Sequence, residues 1–324
     1  MKNKIKALFK LNFVRGIGIL TPFLMTGLFI IYKCSPYFDK YFIKPSAKNY
    51  GVIAINLIEI HALYASGDEW KRVKKQALNN IKYCKTYEET LPYIKDALKF
   101  AGGKHSFIME KMSESSGKSS PSFPEISCAN NILHINLPAF SGGVDDCQKY
   151  KDIIEKALLN ETYKNVIIDL RENSGGDMGP MISGLSPLIE DGYLMSFVMK
   201  DSSEHKVYLK DGVVIGAGSE VKVVLRKNIN VEKIAILISN QTASSGEITA
   251  LAFDGINNSK IIGKKSAGFT TSNNSIKLYD GVTMIITSSK LKTRNGKILD
   301  NDPIIPHLES DSSYNDAIGW FNEN

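Results

Sequence analysis

The chain has 324 residues, of which 43% are hydrophobic and 23% charged, a composition typical of a folded protein of roughly one to three domains. The formal net charge is +6, and five basic residues without any acidic one lie in the first fifteen positions. The remaining 35 of the 40 basic residues nearly balance the 34 acidic ones. This balance excludes the local basic excess of a nucleic-acid-binding face, so we expect no nucleic-acid partner.

An uncharged apolar segment at residues 16–32 follows the basic start and is bounded by Arg15 and Lys33. Its length is at the short end of what crosses a bilayer, and long basic side chains can reach the interface from within such a span. The preceding positive charge predicts a cytoplasmic tail and single-pass anchor at residues 1–34, with an extracellular body. A cleaved signal peptide is one alternative, although no small-residue cleavage site follows, and a buried core helix is another.

Residues 35–112 are predicted to form a small helical bundle. Apolar residues recur at helical spacing in three successive segments, at residues 49–65, 69–83 and 88–101. Short connections between such helices favour a bundle. Residues 113–128 are rich in serine, proline and glycine in their first part, which predicts an exposed linker.

Residues 129–324 alternate between strand and helix patterns. Two continuous apolar runs, NVIIDL at 165–170 and KIAILIS at 233–239, are typical of buried parallel strands, and helical patterns lie beside them. Strand patterns at about 193–230, the last of them EVKVVLR, predict a β-rich cap inserted in this core. The whole pattern predicts an α/β (α+β) fold with a mainly parallel sheet and crossover helices.

Both buried strands end in a polar turn before a helix, RENSGGDMG after the first and NQTASSGE after the second. In open α/β sheets, ligands bind at the carboxyl ends of the strands. The backbone N–H groups of Gly175 and Gly176, opposite the hydroxyls of Ser244 and Ser245 at a helix N-terminus, are a layout for an oxyanion hole with a serine nucleophile. The alternatives are an ordinary glycine turn and an ordinary capping box between Ser244 and Glu247.

The potential metal ligands are scattered. The four cysteines are Cys34, Cys84, Cys128 and Cys147, and no two of them have the spacing of a metal site. We therefore expect no disulfide framework, no metal and no cofactor. Among the histidines, His61 and His134 lie in apolar patterns, and His205 and His307 in polar loops. His105 differs because it follows a helix and a Gly-Gly break, where a side chain can be presented to a cleft.

Four segments resemble, in order, those of the tail-specific, or C-terminal-processing, serine peptidase family. They cover about residues 129–307 and read NILHINLPAFSGG, KNVIIDLRENSGGDM, QTASSGEITALAF and IGKKSAGFTT. The resemblance implies a crotonase-like or ClpP-like αβ peptidase core at 129–324. It selects Ser244 as the nucleophile, with the N–H groups of Ser245 and Gly176 (or Gly175) as the oxyanion hole. We also expect Asp177 and Met178, which follow the glycines, to bind substrate.

The chain departs from the family pattern in two ways, one in the catalytic base and one in the segment before the core. Many members carry a lysine where this chain has Phe269, and Lys264 and Lys265 are out of register. No PDZ-like insertion precedes the core. In both respects the chain resembles the nisin-resistance branch of the family, whose members are membrane-anchored and have a helical bundle and a serine–histidine dyad. The segment GGKHSFIM then implies His105 as the general base, and Glu247 is a candidate supporting residue.

The resemblance implies a membrane-anchored peptidase that hydrolyses a lantibiotic such as nisin near its C-terminus through an acyl-enzyme. The cap is expected to cover a groove for an extended peptide, and we expect a monomer. Two alternatives remain. One is a general C-terminal-processing peptidase that acts on surface proteins, and the other is a non-catalytic, lantibiotic-binding immunity protein.

Overall fold

The computed structural model describes residues 26, 35, 40–110, 120–160, 162–223 and 227–323. The predicted anchor at 16–32 lies outside these residues except for Thr26, and so do residues 113–119 of the predicted linker at 113–128. The end of that predicted linker is instead part of a strand, Glu125–Ala129. Across the described residues, no helix is both long and apolar enough to cross a membrane.

The secondary structure begins with three helices and continues with alternating strands and helices. The described residues form the α-helices α1 (Ala47–His61), α2 (Gly67–Ile81), α3 (Tyr87–Gly102), α4 (Val144–Asn160), α5 (Met178–Leu185), α6 (Ser245–Leu251) and α7 (Ser313–Phe321). The strands are β1 (Phe107–Met109), β2 (Glu125–Ala129), β3 (Ile132–Asn136), β4 (Asn165–Asp169), β5 (Gly192–Met199), β6 (Glu204–Lys210), β7 (Val213–Ile215), β8 (Lys233–Ile238), β9 (Ser259–Gly263), β10 (Thr271–Lys277), β11 (Thr283–Thr293), β12 (Ile298–Leu299) and β13 (Leu308–Glu309).

The chain divides into two compact units by its internal contacts. The first comprises Met1–Ala101, Ser106–Lys111 and Ser275–Ile286, and the second comprises Gly102–His105, Met112–Asn274 and Thr287–Asn324. This division places 275–286 with the helices, whereas the sequence predicts one core throughout 129–324. The domain boundaries drawn from the sequence stay a prediction.

The first unit contains the three predicted helices, which are packed around one apolar core. Tyr50, Trp70 and Ile94 are buried there, one from each helix. β1 pairs antiparallel with the beginning of β11, where Phe107 lies opposite Ile285. The helical periodicity of this region therefore follows from the burial of one apolar face on each helix.

The second unit is built on the mainly parallel sheet that the sequence predicts. Its strand order is β13-β9-β8-β4-β3-β2, and only the edge strand β2 runs antiparallel to its neighbour. β4 and β8 are adjacent and central, and every residue of β4 is buried. This burial explains why both strands are continuous apolar runs instead of alternating ones.

The predicted cap region contains the antiparallel strands β5, β6 and β7. The predicted strand at 220–226 is absent from residues 220–223, and 224–226 lie outside the described residues. The side chain of Gln148 accepts from the N–H of Lys222 at 2.8 Å and donates to its carbonyl at 3.0 Å. These bonds replace the ones that a neighbouring strand would make.

Because β4 and β8 are parallel neighbours, the turns that follow them lie at the same edge of the sheet. The N–H of Leu170 donates to the carbonyl of Leu237 at 2.9 Å. The hydroxyl of Thr242 donates to the carbonyl of Leu170 at 2.7 Å, and that of Ser239 donates to the carbonyl of Arg171 at 2.5 Å. The two polar turns are thus joined by hydrogen bonds between their backbones and short side chains.

Candidate active site

Ser244 lies between β8 and α6 in a backbone conformation that is rare for a residue with a side chain. Its φ is 51° and its ψ is −119°, whereas Ser46, which caps α1, has φ −65° and ψ 160°. Ordinary N-cap residues have extended backbone angles like those of Ser46, and a positive φ in a non-glycine residue costs about 1–3 kcal/mol. Ser244 therefore forms a sharp strand-to-helix turn of the kind that presents a nucleophile.

The bonds around Ser244 hold this conformation in place. Its N–H donates to Glu247 Oε2 at 2.8 Å, and the N–H of Ala243 donates to the carbonyl of Asn173 at 2.9 Å. Ala243 and Ser245 are buried, whereas Ser244 is partly accessible. The bond from the Ser244 N–H to Glu247 that a capping box predicts is thus present, and it supports a partly accessible serine.

The paired glycines lie close to this turn and to Phe140, and a residue with a side chain would not fit at either position. Gly175 and Gly176 have φ of 113° and 112°. A Cβ atom on Gly175 would lie 2.8 Å from the Cβ of Ser244, and one on Gly176 would lie 1.8 Å from the carbonyl oxygen of Phe140. The hydroxyl of Ser245 donates to the carbonyl of Gly176 at 2.5 Å, which joins the two turns directly.

The backbone N–H groups at these turns differ in whether they already donate a hydrogen bond within the protein. The N–H of Gly175 donates to Asn173 Oδ1 at 2.9 Å. Phe140 bonds to the carbonyl of Gly175 and the N–H of Asp177, on either side of Gly176. Within the described residues, the N–H groups of Gly176 and Ser245 have no acceptor. The geometry therefore favours Gly176 over Gly175 as an oxyanion donor.

Asp177 and Met178 have structural contacts in the described chain. Asp177 Oδ1 caps α5 by accepting from the N–H of Gly179 at 2.9 Å, and it also accepts from the N–H of Ser219 at 2.9 Å. Met178 is 4% exposed and packs in the main apolar core. Substrate binding by this pair stays a prediction.

His105 lies in the second unit, at the end of a single 3₁₀ turn after α3. The imidazole is buried, and its Nδ1 lies 2.8 Å from Thr271 Oγ1. Its ring centroid lies 5.0 Å from that of Phe269, in an edge-on contact. Burial, with a smaller contribution from the positive charge of Lys104, lowers the pKa of His105 from 6.5 to about 4. The ring is therefore neutral at neutral pH and able to accept a proton.

Lys104 lies beside Phe269. Its Nζ donates to the carbonyl of Ala267 at 3.1 Å and lies 5.0 Å from the centroid of the Phe269 ring. A cation in this position is stabilised by the face of the ring. The charge next to His105 is thus held by the backbone and by an aromatic ring.

Glu247 connects the serine turn to the turn that carries Phe269. Its carboxylate is fully buried; Oε2 accepts from the N–H of Phe269 at 2.7 Å as well as from Ser244, and Oε1 accepts from the N–H of Gly268 at 2.8 Å and from the hydroxyl of Ser266. Burial raises the pKa of Glu247, against hydrogen bonds that act to lower it. The carboxylate therefore organises both turns.

The structure brings most of the predicted residues together at one edge of the sheet. Ser244, the paired glycines, Ser245 and Glu247 contact one another directly or through single hydrogen bonds, and His105 contacts Phe269 in the adjoining turn. In the part of the chain that the structure describes, no hydrogen bond joins the Ser244 hydroxyl to His105. The same residues contain no group of three or more His, Cys, Asp or Glu side chains that could hold a metal ion.

Sequence reasoning missed the partners of the His105 imidazole. Thr271 is the last residue of the segment IGKKSAGFTT, and its hydroxyl donates to Asn301 Oδ1 at 3.0 Å. Asn301 lies in an irregular segment after β12, where no periodicity or motif in the sequence identifies it as part of a site. The only signal for Thr271 was its place in a segment that resembles the family.

Comparisons with known proteins identify the relatives of this chain. The sequence profile of peptidase family S41 matches residues 131–310. The nisin-resistance protein of Lactococcus lactis subsp. lactis is 39% identical over 293 residues, which are 90% of this chain and 92% of that protein. The carboxy-terminal processing protease CtpA of Bacillus subtilis (strain 168) is 28% identical over 183 residues, which are 56% of this chain and 35% of that one.

A solved structure extends the similarity to nearly the whole fold. A lipoprotein from Streptococcus agalactiae superimposes with a TM-score of 0.79 at 29% identity, over 87% of this chain and 98% of that chain. The similarity to known proteins therefore extends from the four sequence segments to the architecture of the fold.

Proposed function

Because the chain belongs to peptidase family S41 and is a serine peptidase, we propose that Ser244 and His105 form its catalytic dyad and that its substrate is a lantibiotic. The observation that carries the proposal is the turn at Ser244, with a φ of 51° and glycine backbone packed against its side chain. A capping role alone gives no reason for this conformation, since ordinary caps are extended.

The proposed reaction begins when the Ser244 hydroxyl attacks the peptide carbonyl while His105 Nε2 takes its proton. The tetrahedral oxyanion accepts hydrogen bonds from the N–H groups of Gly176 and Ser245, which have no other acceptor in the described chain. His105 then protonates the leaving amine, and water hydrolyses the acyl-enzyme by the same steps. The Ser244–His105 hydrogen bond is expected to form when substrate is bound, since catalytic hydrogen bonds often tighten only then.

The substrate follows from the relative that matches most of the chain, the nisin-resistance protein. We propose cleavage near the C-terminus of a nisin-like peptide, by a monomer held at the outer surface of the cell by the segment at 1–34. Lantibiotics act on membranes, so an anchored enzyme would meet its substrate there. In this proposal, the antiparallel strands β5 to β7 border a groove for an extended peptide.

Incubation of the full-length protein with nisin, followed by mass spectrometry, tests the proposal. We expect a single C-terminal truncation whose rate falls by about a thousandfold or more in Ser244→Ala and in His105→Ala. Ser122→Ala, the same substitution at an exposed serine, is the matched control and should retain full activity.

Other outcomes would identify the alternatives. Nisin binding without cleavage, unchanged in Ser244→Ala, would contradict the proposal and indicate an immunity protein. Cleavage of unrelated peptides at their C-termini, but not of nisin, would instead favour the general processing activity suggested by the match to CtpA.

A further inference from the structure

We propose that Thr271 and Asn301 form a hydrogen-bonded relay that fixes the tautomer of His105, so that Nε2 carries the lone pair. This inference rests on the proposed role of His105 as the general base. Both residues would act through His105, which makes them positioning residues.

The direction of the relay follows from the hydrogen-bonding capacity of each group. The Thr271 hydroxyl has one proton, and it donates that proton to Asn301 Oδ1, an amide oxygen that can only accept. At its other contact, 2.8 Å from His105 Nδ1, the same hydroxyl must therefore accept. Nδ1 then carries the proton of the neutral ring, and Nε2 is left as the base. This is the tautomer that general-base catalysis at Nε2 requires.

Burial and hydrogen bonds to backbone carbonyls hold the residues of the relay in place. The Thr271 side chain is 1% exposed. Asn301 has a φ of 62°, a conformation that asparagine adopts more readily than most residues. On one side of Asn301, the Thr270 hydroxyl donates to the carbonyl of Asp302 at 2.8 Å. At the other end of the relay, the Asn273 amide donates to the backbone carbonyl of His105 at 3.2 Å.

Four charged groups lie on the elements that pack against His105. Lys104 precedes it in the chain, Glu247 binds the backbone of the Phe269 turn, and Asp300 and Asp302 flank Asn301. Of these, only Lys104 contributes to the electrostatic shift at His105. The relay itself is uncharged, in contrast to the carboxylate that orients the histidine in many serine peptidases. A neutral relay orients the ring without stabilising its protonated form before reaction.

The first test measures the tautomer directly. In full-length protein labelled with ¹⁵N-histidine, the His105 resonances are assigned by their loss in His105→Gln. We expect a protonated Nδ1 and an unprotonated Nε2 in the wild-type protein at pH 7. Thr271→Val removes the hydroxyl at nearly constant volume and should abolish this fixed tautomer, whereas Thr271→Ser should retain it.

The second test measures kcat and KM on the nisin substrate. We expect Thr271→Val to lower kcat about 10- to 100-fold with KM within about twofold, because the base is misoriented and the binding groove is intact. Thr271→Ser should restore most of kcat. Thr283→Val, the same change on β11 at a threonine whose hydroxyl has no hydrogen bond within the described residues, is the control.

Asn301 gives an independent readout. Asn301→Gly tolerates the positive φ but removes the amide, and it should lower kcat as Thr271→Val does. Asn301→Asp introduces a negative charge behind the relay, which stabilises the imidazolium and should move the acid limb of kcat/KM to higher pH.

The outcomes separate this inference from the proposed function. A protonated Nε2 in the wild-type protein, or a Thr271→Val variant with unchanged tautomer and kcat, would overturn the relay. If the wild-type protein cleaves no peptide, the proposed function fails, and the tautomer measurement still decides whether the relay exists.

Discussion

Lys104 and Phe269 both lie beside the His105 imidazole. The Lys104 ammonium binds the carbonyl of Ala267 and lies over the ring of Phe269, which itself contacts the His105 imidazole. A cation so close to a histidine disfavours the charged imidazolium. At the scale of single residues, the lysine thus helps to keep the histidine neutral.

We predict that Lys104→Met moves the acid limb of the kcat/KM profile to higher pH. Burial is the larger cause of the low His105 pKa and is retained in this variant, whereas the electrostatic contribution of the lysine is lost. Above the acid limb, the rate should stay within roughly twofold of the wild type, since the base remains in place. Lys156→Met, at an exposed position on α4, is the control. An acid limb at the same pH in both variants would contradict the prediction.

At the scale of elements, β4 and β8 end in two turns that fit each other because glycine backbone replaces side chains between them. Gly176 is the tightest point, where the carbonyl of Phe140 occupies the space of a Cβ atom. The oxyanion donor that we propose is thus placed by close approach of two backbone segments.

We predict that Gly176→Ala lowers the free energy of unfolding by at least about 3 kcal/mol, because the new Cβ displaces backbone and the φ is unfavourable. Gly296→Ala separates the two effects. Gly296 also has a positive φ, 83°, but has no atom within 4 Å of the Cβ position, so a loss of about 1–2 kcal/mol is expected there. Urea denaturation measures both, and equal losses would show that the close approach contributes nothing.

The sequence predicts the elements better than it predicts the contacts between distant turns. β4 and β8 are continuous apolar runs, so their burial and parallel pairing could be predicted, and with them the meeting of the two turns. The bonds from Glu247 to Gly268 and Phe269 could not be predicted, because local spacing gives an equally good capping box. The contact between His105 and Thr271 joins residues 166 positions apart, and no periodicity encodes such a pair.

At the scale of the whole molecule, two buried groups make the stability depend on pH in different ranges. His105 has its pKa lowered from 6.5 to about 4, so its neutral form is favoured in the folded state. Burial acts to raise the pKa of Asp169, but hydrogen bonds from His134 and Arg171 outweigh burial and lower it from 3.8 to about 2. The contribution of His105 is therefore complete above pH 6.5 and is lost between pH 6.5 and 4, and that of Asp169 is lost between pH 3.8 and 2.

We predict that the wild-type protein loses up to about 3 kcal/mol more stability than His105→Gln between pH 7 and pH 4, because glutamine has no proton to bind in the unfolded state. Glu247, whose pKa is raised by burial, acts in the opposite direction but equally in both proteins. Urea denaturation at pH 7 and pH 4 gives the comparison. The same pH dependence in the two proteins would contradict the burial of a neutral imidazole at position 105.

The four residues that include His105, Gly102–His105, belong to the second unit although the chain on both sides of them belongs to the first. In the proposed dyad, base and nucleophile are therefore separated in the chain by the serine-rich stretch at 113–128. Covalent continuity across that stretch fixes the effective concentration of the base at the nucleophile. A single cut in the chain between His105 and Ser244 would remove this covalent link, and the base would then be held to the part of the chain that carries the nucleophile only by its own contacts, such as those with Thr271 and Asn273.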